Sequence, residues 1–157
     1  MKVTIIAAAL CAAMTSAKMP RAKYACTHTK QIVKECKKHN IDPIVFVSLI
    51  HVESNWRPHV VSYANACGLT QVIPKYSRGY TCQQLKKPKT SIKVGARILG
   101  YWLNKYAKGN YYTALCGYNA GFRCKGKKPI KHGMQYAKKV MKMATRIMHH
   151  TTERVKN

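Results

Sequence analysis

The segment Ile44-Val45-Phe46-Val47-Ser48-Leu49-Ile50-His51-Val52-Glu53 constrains this chain more than any other. Asp42 just before it is a good helix N-cap and Pro43 suits the first helical position. Ile41 and Phe46 are placed to staple the entry hydrophobically. The helix that follows has almost no polar face up to Val52, so it must be buried on all sides, at the centre of the fold. Ser54-Asn55 closes it and Pro58 prevents its continuation. Glu53 thus stands at the end of a buried helix, where apolar surroundings favour the protonated carboxyl toward neutral pH. A general acid needs that property.

The rest of the chain reads as helical. Ile32, Val33 and Cys36 share one face of a helix whose other face carries lysines, and Glu35 faces solvent with Lys38 three residues on. Residues 59 to 90 are punctuated by Gly68, Pro74, Gly79 and Pro88 and read as irregular, with one helical turn near Gln71. A second long helix starts at Ser91, with Ile92, Ala96, Leu99, Leu103 and Tyr106 inward, and stops at Gly109. A shorter one covers Tyr112 to Tyr118. The last runs from about Gln135 to Met148, with Tyr136, Val140, Met143, Ala144 and Ile147 inward. No run of alternating strands is present, and the expectation is one all-α domain.

Lys2, the apolar stretch Val3 to Met14 and the small residues Thr15-Ser16-Ala17 have the form of an export signal cleaved after Ala17. The stretch is shorter than the roughly 20 apolar residues that span a bilayer. Leu10 before Cys11 argues against lipidation. The expected division is therefore a signal at 1–17 and a single domain at 18–157, exported to the periplasm or the extracellular space. Removal of Cys11 leaves Cys26, Cys36, Cys67, Cys82, Cys116 and Cys124, an even number that implies three disulfides in an exported chain. Cys116 and Cys124 are the favoured local pair; the other pairings stay open.

Against 29 Lys and Arg there are four acids: Glu35, Asp42, Glu53 and Glu153. The net charge of +25 favours a polyanionic partner without choosing between nucleic acid, anionic lipid and acidic wall polymer. Clusters at Lys86-Lys87-Lys89, Lys125-Lys127-Lys128 and Lys138-Lys139-Lys142 are taken singly as solvated surface. Metal chemistry is disfavoured. His51-Val52-Glu53 matches the H-x-E of zinc deaminases, but the P-C-x-x-C pair is missing and there is no H-E-x-x-H. At 100° per residue His51 and Glu53 point about 200° apart. No metal and no cofactor is expected.

The remaining chemistry is acid catalysis on a glycosidic bond. Ordinary glycoside hydrolysis uses a second carboxylate about 5 to 9.5 Å away. Asp42 lies about 16 Å off, at the other end of the same helix. The acid count therefore favours a mechanism in which the substrate supplies the second functional group.

Four blocks in order resemble the soluble (SLT-type) lytic transglycosylases, which share a lysozyme-like α fold with goose-type lysozyme. They are Ile50 to Pro58 around Glu53-Ser54; Val61-Ser62 with Ala66-Cys67-Gly68-Leu69-Thr70-Gln71-Val72-Ile73-Pro74; Ile92 to Gly95 leading into Leu99; and Ala114-Leu115-Cys116-Gly117-Tyr118-Asn119-Ala120-Gly121. Together they cover roughly residues 41 to 148. The resemblance implies that Glu53 protonates the bond between N-acetylmuramic acid and N-acetylglucosamine in peptidoglycan glycan strands. The same residue then takes the proton of the muramoyl C6 hydroxyl as a 1,6-anhydro ring closes. It also implies that Ser62 lies near the acetamido group, that Gln71 and Asn119 line the cleft, and that the Tyr118 hydroxyl reaches toward the glutamate. Gly68 and Gly121 read as backbone requirements.

Thr70 stands where the family has methionine, and is expected to make that wall of the cleft smaller and more polar. Gly117 stands where the family has alanine. Disulfides through Cys67 and Cys116 are expected to brace the cleft. Alternatives are a lysozyme-type hydrolase of the same bond and a non-catalytic cationic binder of wall, lipid or nucleic acid. Expected partners are peptidoglycan and anionic wall polymers, with a secretion, conjugation or phage apparatus as the setting and a monomer as the state.

Overall fold

The computed structural model describes residues 2–125 and 130–153. Lys127 and Lys128 of one basic cluster lie outside the described residues. Among the described residues eight α-helices follow in order: α1 Lys2–Ser16, α2 Ala22–Cys26, α3 Thr29–His39, α4 Pro43–Ser54, α5 Cys82–Leu85, α6 Pro88–Tyr101, α7 Tyr111–Ala120 and α8 Lys131–Glu153. The described residues contain no strand, only isolated bridges of Cys67 to Val61 and Val72. The domain is all-α, as its periodicity indicates.

Helix α4 is the hub. The Asp42 side chain accepts the Ile44 backbone N–H at 2.7 Å, and Pro43 opens the first turn. The Asp42 backbone N–H donates to the Tyr111 hydroxyl at 2.6 Å, tying the start of α4 to the start of α7. Val45 through Ile50 are buried without a break, matching the absence of a polar face. Helix α8 packs on both α4 and α7 and brings Ala137, Val140, Ala144 and Ile147 into the core. It extends beyond the expected 135–148 at both ends, because its amphipathic period continues into more polar turns. Helix α6 starts at Pro88, a normal first-turn residue, and passes into a π-helical segment at Trp102–Tyr106 before Gly109.

Residues 59–81 are irregular, as expected, although the turn falls at Pro74–Tyr76 instead of near Gln71. The short α5 is stabilised by reciprocal capping between Thr81 and Gln84, a pattern hidden in the sequence by its brevity. The Cys67–Cys82 bridge closes this loop, a constraint on the order of 3 kcal/mol for a loop of its size. Cys67, Val72, Leu85 and Val94 form a small separate core beneath it.

Two cysteine expectations require correction. Cys116–Cys124 forms the expected local bridge, but Cys26 pairs with Cys11, and Cys36 is free and buried. Cys36 lies on the inward face of α3 with Ile32 and Val33, where burial pushes its thiol pKa up and it serves as a small hydrophobe. Within residues 1–17, read in sequence as an export signal, Lys2–Ser16 forms α1. Leu10 and Met14 are buried there, against neighbours that include α2, α3 and α8. No helix among the described residues is long and apolar enough to cross a membrane. Glu35 is half-buried, not solvent-facing, and faces His39, its i,i+4 neighbour on α3, at 3.9 Å.

Gly117 has a packing reason. A Cβ there would run into the six-membered ring of Trp102, which covers this face of α7. An Ala in mid-helix is ordinarily worth about 1 kcal/mol over Gly, whereas overpacking costs about 1–3 kcal/mol. Gly117→Ala should therefore destabilise the protein, and should become neutral or stabilising in a Trp102→Ala background. Chemical denaturation of the four proteins of that cycle reads the change of sign.

Candidate active site

Glu53 sits in the last turn of α4, and the chain turns sharply just beyond it. Asn55 and Trp56 both take left-handed backbone conformations, with φ of 48° and 60°. For a residue as bulky as tryptophan this is costly, on the order of 1–3 kcal/mol. Full burial of the Trp56 side chain helps hold the conformation in place. The indole N–H and the Asn55 Oδ1 have no hydrogen-bond partner. This strained reversal fixes the end of α4 and with it the position of Glu53.

The carboxyl of Glu53 meets two tyrosines from other helices. The Tyr136 hydroxyl, from α8, donates to Glu53 Oε1 at 2.6 Å. Tyr118, from α7, lies close enough to feel the charge of Glu53, and its hydroxyl donates to the Thr70 carbonyl at 2.7 Å. Burial raises the Glu53 pKa from 4.5 to about 7. The Tyr136 hydrogen bond and the charge of Lys139 pull in the opposite direction, and desolvation wins. Both tyrosines are held well above their ordinary pKa, first by burial and then by Glu53, so each remains a neutral donor.

The tyrosine that hydrogen-bonds Glu53 is Tyr136, while Tyr118, expected to reach toward the glutamate, lies near it with its hydroxyl on the Thr70 carbonyl. In sequence Tyr136 shows only as one of five inward positions on the last helix. Its period reveals that it is buried but not which neighbour it meets.

The other expected site residues surround a loop beside this cluster. Ser62 Oγ accepts the Ala66 N–H at 3.1 Å, closing a tight turn at the loop. Gln71 has a left-handed backbone with φ of 46°, and its side-chain nitrogen donates to the carbonyls of Val60 and Gly68 at 3.1 and 2.9 Å. Its side-chain oxygen is left as the free polar atom. Asn119 is exposed at the end of α7. Gly68 has φ of 78° and a Cβ there would collide with the Leu85 carbonyl, so glycine is required.

Thr70 does not shape a cleft wall. It is fully buried, and its hydroxyl donates to the Ser91 carbonyl at 2.9 Å. Its backbone N–H donates to Ser91 Oγ at 3.1 Å. Threonine at this position therefore pins the loop to α6 instead of meeting a ligand. His51 is half-buried and kept neutral by burial and then by Arg146 and Lys139. The disulfides brace the same region: Cys67 follows the Ser62 turn, and Cys116–Cys124 spans the end of α7 that carries Tyr118 and Asn119.

The fold is similar to that of the 70 kDa soluble lytic transglycosylase of Escherichia coli. The TM-score is 0.68 at 19% identity, over 91% of this chain and 29% of that one. An inactive mutant of the lytic transglycosylase Slt of Pseudomonas aeruginosa aligns with a TM-score of 0.67 at 24% identity, over 76% of this chain and 24% of that one.

Among curated sequences, membrane-bound lytic murein transglycosylase C of Actinobacillus pleuropneumoniae is 30% identical over 105 residues, covering 56% of this chain and 29% of that protein. Membrane-bound lytic murein transglycosylase D of Escherichia coli is 33% identical over 95 residues, covering 57% and 21%. The chain thus spans less than a third of the length of these relatives. The sequence model of the Transglycosylase SLT domain matches residues 30–142, a segment that holds Glu53, both tyrosines and the Ser62–Gln71 loop. The chain belongs to the SLT transglycosylase family.

Proposed function

We propose that the chain is a peptidoglycan lytic transglycosylase in which Glu53 is the single acid and base. The observation that carries this reading is a half-buried carboxyl whose pKa burial raises to about 7, with no second carboxylate beside it among the described side chains. Asp42 is spent as the cap at the far end of α4, and Glu35 faces His39 on α3. Hydrolysis by a carboxylate pair has no partner among the described side chains.

The chemistry follows from which oxygen is free. Oε1 accepts from Tyr136, so the acidic proton belongs on Oε2. Glu53 gives that proton to the glycosidic oxygen as the bond from the muramoyl C1 breaks. The substrate acetamido group supports the charge that develops at C1. The Glu53 carboxylate then accepts the proton of the muramoyl C6 hydroxyl while its oxygen bonds to C1, which closes the 1,6-anhydro ring and restores the acid. No water is consumed. A pKa near 7 suits a group that must donate and then accept within one turnover. Ser62, Gln71 and Asn119 are assigned to orienting the substrate, and Tyr136 to fixing the carboxyl.

The positive surface supports encounter with anionic wall polymers, and the export signal read at residues 1–17 would deliver the domain to the wall. Cleavage after Ala17 would remove α1 and leave Cys26 without Cys11.

Digestion of purified peptidoglycan with mass analysis of the products tests the activity. Anhydro-muramoyl products are expected, with turnover down by about 10²–10⁴-fold in Glu53→Gln. Reducing-end products would instead identify a hydrolase, and undiminished wall disruption by Glu53→Gln would identify a non-catalytic binder.

The same burial has a cost for stability. The Glu53 pKa is raised by folding, so the native state holds its proton more tightly than the unfolded state. The contribution of Glu53 is most favourable below about pH 4.5 and is lost as pH rises through about 7. The full penalty above that point is about 3 kcal/mol. Thermal melts should therefore show Glu53→Gln more stable than the parent at pH 8, with the gap closing toward pH 5.

A further inference from the structure

A second concave site lies apart from Glu53. The end of α3, the loop at Arg78, the end of α6 and the π-helical segment after it border an open hollow of about 450 Å³ that shares no residue with the Glu53 cluster. Its walls include Lys38, His39, Arg78, Arg97, Tyr101 and Lys105. The volume falls in the range of small-molecule sites.

Charge is its defining property. Lys38, Arg78, Arg97 and Lys105 all line the hollow, no carboxylate is among its lining residues, and Glu35 contacts His39 at its edge. Arg97 is the most constrained of the four. It is half-buried, and its Nη2 donates to the Ser77 carbonyl at 2.6 Å. Burial, and next the charge of Arg78, lower its pKa. Such repulsion inside a concavity is relieved by a bound anion.

The walls are tied together. Asn104, in the π-helical segment, donates its Nδ2 both to the His39 carbonyl at 2.8 Å and to the Gly100 carbonyl at 2.9 Å, tying the end of α3 to the end of α6. The cavity is thus built into the packing of the two helices.

We propose that this cavity is a binding site for the phosphate group of a phosphate ester. Residues bearing guanidinium and ammonium groups line the hollow from three separate stretches of chain. A tetrahedral oxyanion can accept from several directions at once, whereas a carboxylate offers two oxygens in one plane. The volume exceeds that of a phosphate several-fold, leaving space for the organic part of the ester beside the exposed ring of Tyr101.

From Tyr101 an aromatic row continues outward. Its ring centroid is 5.1 Å from that of Tyr106, which is 5.4 Å from that of exposed Phe122. Lys105 lies 5.5 Å from the Tyr101 centroid and Lys125 lies 3.8 Å from that of Tyr106. Flat ring faces beside cations suit the carbon face of a phosphorylated sugar or polyol.

Calorimetric titration of the full chain with glucose 1-phosphate, inorganic phosphate and glucose tests the site. Saturable binding is expected for the first two, tighter for the ester, and none for glucose. Arg78→Gln/Lys105→Gln, which alters only exposed side chains, should weaken the ester by about tenfold or more. Lys30→Gln/Lys34→Gln removes the same charge from the exposed face of α3 and should change it by less than about twofold. Absence of saturation in the parent, or equal losses in the two double variants, overturns the proposal. Vesicles of phosphatidylglycerol, set against phosphatidylcholine, identify the source. Binding that glucose 1-phosphate displaces assigns the site to a lipid headgroup, and vesicle indifference alongside ester binding assigns it to soluble or polymer-borne esters.

Discussion

The rest of the molecule depends on one half-buried carboxyl and the hydrogen bond it accepts from Tyr136. Helix α4 carries Glu53 into a place where water solvates its charge poorly, and α7 and α8 supply two tyrosines that stay neutral beside it. Burial and hydrogen bonding act against each other on the same group. Desolvation drives the pKa up, while the Tyr136 hydroxyl and Lys139 restrain it. The balance comes to rest at about 7, where one side chain can serve as acid and then base.

Holding this arrangement uses strain and small residues. The consecutive left-handed residues Asn55 and Trp56 end α4 abruptly, and the unpartnered indole N–H of Trp56 adds to the cost. Compensation comes from the buried face of α4, from the capping bond of Asp42 and from the disulfide that locks the irregular loop. Gly68 and Gly117 are the close-approach points, one beneath the Leu85 carbonyl and the other beneath Trp102. Sites that keep a charge-bearing group in an apolar place commonly draw on the stability of their surroundings in this way.

Much of the architecture is legible in the chain because it rests on local rules. The Asp42-Pro43 start, the unbroken apolar stretch to Val52 and the stop at Pro58 define α4 without reference to any other segment. The site is legible in part. Glu53 stands out because acids are scarce and its neighbours are apolar. Tyr136 does not, since its role depends on how α8 docks against α4, a contact between residues 83 apart in sequence.

Thr70 misleads for the same reason. Its motif position points to the cleft, but Ser91 captures its hydroxyl in the interior. Pairing of cysteines is similarly a matter of tertiary distance. Cys116 and Cys124 are close enough in sequence to be matched, whereas Cys36 is withdrawn from pairing by the inward face of its own helix.

A carbon-detected NMR titration of the Glu53 side-chain carboxyl measures the quantity on which this account turns. With glutamate labelled, only Glu35, Glu53 and Glu153 contribute signals, and Glu53→Gln assigns the one that matters. The account requires a midpoint of about 7. A midpoint at the ordinary 4.5 would mean that the carboxyl is solvated and ionised at neutral pH, and the single-residue acid–base mechanism would fall with it.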